Sequence, residues 1–358
     1  MNSKERELFW ALCSFKQENF DESLLEYASP EVLGQLFYNR MAAIAYGVLK
    51  RHQLLGKVNR EFRNSLKCAY DANVEKNKYY NKCLEFLTRI LGECNCDYAM
   101  LKGAVLCSSY PVGYRTSNDV DLLVRPKDVT QVGETLARHG FRQGYIRNEM
   151  FVPATRAEII QSKMMRGETV PYIKEMDLPG MKYLEVDINF SLDYKNGDEK
   201  LLDRMLHRAR LRILHDMSVT TLDFYDFLIH LCMHLYKEAT TLPWVEMKRD
   251  MTLYKYCDIY MLLSKMSSQV AETFFICAYE LGVEKICAFV VLQTAMLFDL
   301  KNSPAVEMAN MILKDDPDFI HTVISPMDKA IFIYGEKDIT ERFFASDRTS
   351  LLKEVRNK

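Results

Sequence analysis

Two short segments that alternate acid and apolar residues constrain this chain more than anything else in it. In Asp119-Val120-Asp121-Leu122-Leu123-Val124, the carboxylates Asp119 and Asp121 stand at i and i+2. Residues two apart on a β-strand share a face, so these carboxylates lie side by side, roughly 6–7 Å apart along the strand. Val120, Leu122 and Val124 then point the other way, into a core. Leu184-Glu185-Val186-Asp187-Ile188-Asn189-Phe190 repeats the design, with Glu185, Asp187 and Asn189 on its polar face. Adjacent like charges repel, and folding gives no reason for them unless a cation sits between. If the two strands are neighbours, Asp187 joins Asp119 and Asp121 as a third carboxylate. Three carboxylates on one sheet face can hold two Mg2+ (or Mn2+) ions. Such a pair organises a nucleoside triphosphate, activates an attacking hydroxyl and stabilises a leaving pyrophosphate.

Leu101-Lys102-Gly103-Ala104 belongs to the same picture, with fifteen residues between Gly103 and Asp119. A glycine where a strand turns into a helix lets backbone N–H groups approach phosphate oxygens. Lys102 and Arg115 are cations that can neutralise phosphate charge. A salt bridge from either to one of the carboxylates is the alternative, and the residues do not decide between the two.

Hydrophobic residues make up 48% and charged residues 27% of the 358, the mixture of an ordinary globular chain. Fourteen Gly and ten Pro are few for this length and favour helix over a turn-dense all-β chain. A net charge of -2 carries no global basic field for coating nucleic acid. The ten cysteines form no CxxC pair, and Cys83, Cys232, Cys257, Cys277 and Cys287 sit in apolar-periodic segments as small buried hydrophobes. A reducing, cytoplasmic setting suits them. The apolar run Ile286–Phe298 falls short of the roughly 20 residues of a membrane span and reads as a buried helix.

Helical spacing dominates residues 1 to about 97, with a stripe of Tyr80, Cys83, Leu84, Leu87, Ile90 and Leu91. A strand is expected from Tyr98 running into the Lys102-Gly103 turn, another at 119–124, and a helix over Lys127–His139 ended by Gly140. Further strands are expected at 141–146 and in a hairpin of 168–176 with 181–192, and a helix over Thr155–Met165. From about 199 the pattern is helical, with Thr220 and Asp223 as a capping box for a helix from Leu222 to Glu238. This predicts an α+β fold: a small mixed β-sheet core at 79–198, N-terminal helices at 1–78 and a C-terminal helical bundle at 199–358. The open sheet face and the helical part would form a cleft.

These motifs resemble the bacterial "uncharacterised nucleotidyltransferase" family, the fifth nucleotidyltransferase family, of the polymerase-beta-like superfamily. Lys102-Gly103, Tyr110, Arg115 with the Asp119–Val124 strand, and Asp187 match its motifs, and the likeness runs on through His230, His234 and Asp258. The resemblance implies Asp119, Asp121 and Asp187 as catalytic metal ligands, with Lys102, Gly103 and Arg115 binding nucleotide. Three departures stand out. Lys102-Gly103 replaces the wider superfamily's Gly-Ser, the Gly-to-Asp spacing is longer, and Asn189 stands where the subfamily often has histidine.

The expected reaction is therefore transfer of a nucleoside monophosphate from an NTP to an acceptor. The acceptor class is a small molecule, sugar, peptide or protein rather than long nucleic acid, with no membrane partner. A catalytically silent nucleotide binder of the same fold, a helical scaffold with an exposed acidic strand, and a phosphotransferase are the rivals. His230, His234 and Glu238 stand at i, i+4 and i+8 of one helix. They lack the HExxH order of a zinc site and read as a polar stripe. Asp258 is a substrate contact or a partner for Lys255 or Arg249.

Overall fold

The computed structural model describes residues 1–192, 199–214, 217–300 and 302–355. It divides into two compact units, Met1–Asp223 and Phe224–Lys358.

The first unit opens with helices α1 (Ser3–Cys13), α2 (Pro30–Tyr38), α3 (Ala42–Arg51) and α4 (Arg60–Leu91). Asn2 and Glu5 form a reciprocal capping box at α1, and the Asn59 side chain caps α4. At 32 residues α4 is much longer than the stripe from Tyr80 to Leu91 foretold, and residue 78 lies in its middle. Then follow β1 (Tyr98–Met100), α5 (Gly103–Leu106), β2 (Asp119–Val124), α6 (Val129–Arg138), β3 (Arg142–Arg147), β4 (Met150–Pro153), α7 (Arg156–Arg166), β5 (Tyr172–Leu178) and β6 (Met181–Asn189). After α8 (Glu199–His207) a hairpin of β7 (Arg210–Leu214) and β8 (Met217–Thr221) completes the unit. The expected limit at 198–199 abuts residues 193–198, which lie outside the described residues.

Six strands form one mixed sheet in the order β1-β2-β6-β5-β3-β4. Its central pair, β2 and β6, is parallel, while β1–β2, β6–β5, β5–β3 and β3–β4 are antiparallel. The apolar alternation decides which face is covered. Val120, Leu122, Val124, Leu184, Val186 and Ile188 join one core with Tyr80, Cys83, Leu84, Leu87, Ile90 and Leu91 of α4 and Val129, Val132 and Leu136 of α6. Burying each such side chain contributes roughly 1.5–3 kcal/mol. The acidic face of β2 and β6 is the other one.

Three expectations need correction. Thr220 is not a helix cap: it lies in β8, paired with Leu211 of β7, and the helix starts at Phe224. The 210–221 stretch, expected helical, is a hairpin whose alternation is hidden because Leu211 and Ile213 face outward at 65% and 77% exposure. Cys277 is only half-buried, whereas Cys83, Cys232, Cys257 and Cys287 are buried as expected.

The second unit is a helical bundle: α9 (Phe224–Thr240), α10 (Leu242–Glu246), α11 (Leu253–Leu263), α12 (Ser268–Glu280), α13 (Glu284–Leu297), α14 (Pro304–Ile312) and α15 (Ile339–Phe344). α13 holds the centre, buried on nearly all sides from Cys287 to Ala295, as the apolar run implied. No helix among the described residues is long and apolar enough to cross a membrane. A three-stranded antiparallel sheet, β9 (Thr322–Ile324), β10 (Ile331–Tyr334) and β11 (Leu352–Glu354), lies in a tail that showed no strand signal.

Candidate active site

The parallel register of β2 and β6 sets Asp121 directly opposite Asp187 and Asp119 opposite Glu185. Neighbouring strands lie about 4.8 Å apart, so two like-charged pairs face one another across the ladder. All four carboxylates share the face that α4 and α6 leave uncovered. Burial, then the negative charges of Asp121, Asp119 and Glu168, push the Asp187 carboxyl well above its usual range, and Lys102 opposes them. Burial and Asp119 likewise raise Glu185, against the pull of Lys76. Asn189 turns its amide back to the Asp187 carbonyl at 3.2 Å.

Lys102 supplies the nearest cation. Its Nζ lies 2.7 Å from Asp121 Oδ1, with side-chain exposures of 24% and 10%. The backbone there is strained, with φ 44° and ψ -113°, a conformation that a side chain other than glycine rarely adopts. That kink ends β1 and turns the chain into α5, directly after Leu101 N–H donates to the Asp121 carbonyl at 2.9 Å. As the side chains stand, Lys102 is the salt-bridge partner left open as an alternative above.

Gly103 is required by close packing. A Cβ at this position would fall 2.5 Å from both Cβ and Oγ of Ser117. Ser117 Oγ in turn donates to Asp119 Oδ1 at 2.7 Å, so the bare glycine is what lets a hydroxyl hold that carboxylate. Gly103→Ala is expected to cost about 1–3 kcal/mol through this overlap. Ser117→Gly in the same chain should restore much of the thermal stability, because the colliding atoms belong to Ser117. A double variant no more stable than Gly103→Ala would refute this reading of the contact.

The loop that carries Arg115 is held from beneath by α4. Asn73 Nδ2 donates to the Gly113 carbonyl at 2.9 Å. Gly113 N–H donates to Asn77 Oδ1 at 3.0 Å, and Asn77 Nδ2 donates to the Arg115 carbonyl at 2.8 Å. Tyr80 Oη donates to the Asp119 carbonyl at 2.8 Å. Positions 73, 77 and 80 lie on one helix face, so a single α4 stripe fixes the loop and the start of β2. Gly113 has φ 86° and approaches so closely that any Cβ would meet Val74 and Tyr70. Phe15 packs on Tyr110 and Tyr114, with ring centres 5.8 and 6.0 Å away. Arg115 itself directs its guanidinium to the Thr116 carbonyl.

Sequence reasoning missed this clamp. The available signal was two asparagines at i and i+4 inside a helix, where asparagine is unfavourable unless its side chain has other work. It also missed Lys76. That half-buried ammonium lies one turn before Tyr80, with its backbone 3.6 Å from where a Cβ on Gly180, at the start of β6, would stand. Burial and Arg40 lower its proton affinity, while Asp119 and Glu185 raise it. Asn77→Ala strands the Gly113 N–H and the Arg115 carbonyl and should cost about 1–3 kcal/mol of stability. A role in positioning predicts, besides, a fall in kcat of roughly tenfold with little change in KM for nucleotide. Full kcat in a destabilised variant would leave Asn77 a purely structural residue.

The second unit has a polar cluster of its own. His234 Nε2 is 3.3 Å from Glu238 Oε1, Lys255 also pairs with Glu238, and the His230 and His234 rings stack at 6.5 Å. Although burial opposes it, His234 and Lys255 hold the Glu238 carboxyl far below its usual range. This is a buried charge network between α9 and α11. Asp258 is buried on α11, and Lys255, one of the two cations weighed as its partner, is engaged by Glu238.

The donors on the β2–β6 face are of the type that hard divalent cations take: carboxylate oxygens in excess over their cations, with the Asp187 and Glu185 carboxyls raised by burial and by their acidic neighbours. As the side chains stand, no three His, Cys, Asp or Glu groups among the described residues are gathered into a metal cage. A groove of about 820 Å³ lies beside the clamp, lined among others by Tyr70, Asn77, Tyr79, Cys107 and Ser108.

A mixed sheet with paired carboxylates on the β2–β6 face, a lysine-glycine turn beside them and helices on the other face defines a protein of the nucleotidyltransferase class. The family described as "Uncharacterised nucleotidyltransferase" matches residues 29–299, and the chain belongs to it. Among solved structures, an antigenic nucleotidyltransferase-like protein from Paracoccidioides brasiliensis is similar over 57% of this chain and 90% of that one, at 12% identity and a TM-score of 0.32. No curated protein matches.

Proposed function

We propose that this protein transfers a nucleoside monophosphate from an NTP to an acceptor, with release of pyrophosphate, and that Mg2+ or Mn2+ is required. The observation that carries the reading is the register that sets Asp121 against Asp187 beside the Lys102-Gly103 turn. Asp119, Asp121 and Asp187 would hold the metal. Bound divalent ions would supply charge neutralisation for the triphosphate and acidify an acceptor hydroxyl. Asp187, directly opposite Asp121, would also be placed to receive the acceptor's proton.

Lys102 is the pivotal cation. Paired with Asp121 in the absence of nucleotide, it keeps the carboxylates apart from one another's full charge. Released, it is placed to meet the phosphates, with Lys76 and Arg115 as further counter-charges and the Gly103 backbone beside them. The acceptor is a small molecule, sugar, peptide or protein side chain; the aromatic and amide lining of the groove beside α4 suits a polar one of modest size. A cytoplasmic setting accords with the cysteines.

A silent nucleotide binder is the second reading, and the Lys102–Asp121 ion pair is the observation that favours it. One experiment separates them. The full chain is incubated with each of the four NTPs, labelled at the α- or γ-phosphate, with Mg2+ or Mn2+ and a cell extract. Metal-dependent α-label transfer with pyrophosphate release supports nucleotidyl transfer. Label moving from the γ position alone means phosphotransfer. Metal-dependent binding by titration calorimetry without any label transfer means a silent binder.

A further inference from the structure

The second unit buries a cation that its own carboxylates do not satisfy. Arg342 of α15 is 1% exposed, and its Nε and Nη2 are buried with no hydrogen-bond partner among the described residues. Its guanidinium lies over the Tyr334 ring at 4.6 Å. Three carboxylates are near enough to act on its charge, namely Asp250, Glu336 and Asp338. Each is engaged elsewhere. Asp250 takes Arg348 in a two-pronged pair at 2.7 to 3.0 Å. Asp338 Oδ1 caps α15, accepting from Thr340 N–H at 2.7 Å and Glu341 N–H at 3.3 Å. Glu336 Oε1 accepts from the Asp338 N–H at 2.8 Å on the surface. Of these three carboxylates only Asp250 is itself buried, against two buried guanidinium groups, Arg342 and Arg348, so the charge balance immediately around Arg342 is positive.

Such an arrangement is expensive. A buried charge without a partner costs several kcal/mol, and natural sequences rarely keep one. Two neutral groups stand beside this one. Tyr334 is 4% exposed, its buried hydroxyl close to Asp250, and His321 is 7% exposed with Nδ1 buried and unpaired among the described residues. Burial, and then the positive charges of Arg342 and Lys337, push the His321 imidazole down to about 4, so it is neutral at pH 7 and has an N–H to donate. Tyr256, fully buried nearby, has its hydroxyl committed to Gln293 Oε1 at 2.7 Å.

We propose that Arg342, with Tyr334 and His321 beside it, forms a closed site for a small inorganic anion of halide size. The three side chains are 1%, 4% and 7% exposed, too deeply buried to meet a nucleotide or an organic phosphate. Arg342, Tyr334 and His321 all lie beyond residue 299, where the family match ends, so the site is a feature of this chain and not one read from the family. It stands independently of nucleotidyl transfer.

The test is thermal unfolding of the full chain at constant ionic strength, exchanging sodium gluconate for sodium bromide, with wild type and Arg342→Met compared. The expected result is a saturable rise in the wild-type melting temperature on the order of 2–4 °C, absent in the variant. Equal melting temperatures in both salts, with Arg342→Met melting above wild type in each, would mean an unpaired cation and overturn the site. Should the variant not fold, crystals of the wild type grown in bromide decide the matter. An anomalous peak within hydrogen-bond distance of Arg342 Nε supports the site, and an empty map there at saturating bromide overturns it.

Discussion

Asp121→Asn and Asp187→Asn are each expected to lower nucleotidyl transfer roughly 10²–10⁴-fold, the range for losing a group that acts directly at the reacting centre. In metal-free buffer neither should weaken the fold. Their charges face each other across one ladder rung, and Asp187 is raised well above the ordinary 3.8 by burial and by its acidic neighbours. Between 3.8 and that higher folded value, the unfolded chain releases the proton and the folded chain keeps it. Asp187 therefore costs stability as pH rises through this interval, and stability returns as pH falls back toward the ordinary value. An asparagine there removes the cost, so the variant should flatten this part of the pH–stability curve. Asp121→Asn also removes the Lys102 ion pair, a smaller loss with the Lys102 side chain 24% exposed. The two readouts, label transfer and unfolding, should move in opposite directions. Unchanged label transfer in both variants would remove the β2–β6 face from the reaction altogether.

Asp250→Asn is expected to destabilise the second unit by about 3–5 kcal/mol, the usual cost of breaking a buried ion pair from one side. Asp250 is 1% exposed and receives three hydrogen bonds from Arg348, itself 6% exposed. An amide leaves Arg348 buried with the negative charge and one of its two acceptor oxygens gone, next to a second buried guanidinium at Arg342. Replacing the pair together, Asp250→Leu with Arg348→Met, should cost far less, because desolvation is then relieved on both sides. Chemical denaturation followed by the two tryptophans, one of which is Trp244 in α10, measures both. If Asp250→Asn unfolds at the wild-type midpoint, the pair contributes nothing and its burial needs another explanation.

Much of the acidic face could be read before any coordinates. Alternation of acid with Val, Leu and Ile named β2 and β6 and told which residues would enter the core. Val120, Leu122, Val124, Val186 and Ile188 are all fully buried. What alternation cannot tell is pairing. Glu185 drew no more attention than Asn189, yet register places it opposite Asp119, while Asn189 folds back on its own strand. The clamp was hidden for a related reason. Asn73, Asn77 and Tyr80 act on carbonyls and N–H groups about 40 residues away in the chain, and backbone groups leave no trace in side-chain patterns. The 210–221 hairpin went unread because Leu211 and Ile213 face outward, which inverts on β7 the pattern that marks a half-buried strand.

By itself, then, the chain's amino-acid order determined local periodicity: most of the helices, which two strands carry carboxylates, and which side of each meets the core. Those follow from spacing alone, since 3.6 and 2.0 residues per repeat are properties of the backbone. Only tertiary structure decided the charge balance. The pairing of Lys102 with Asp121, the approach of Lys76 to Asp119 and Glu185, and the isolation of Arg342 among engaged carboxylates depend on distances between segments remote in sequence. Electrostatic energy varies with those distances and with burial, and neither is written in the order of residues.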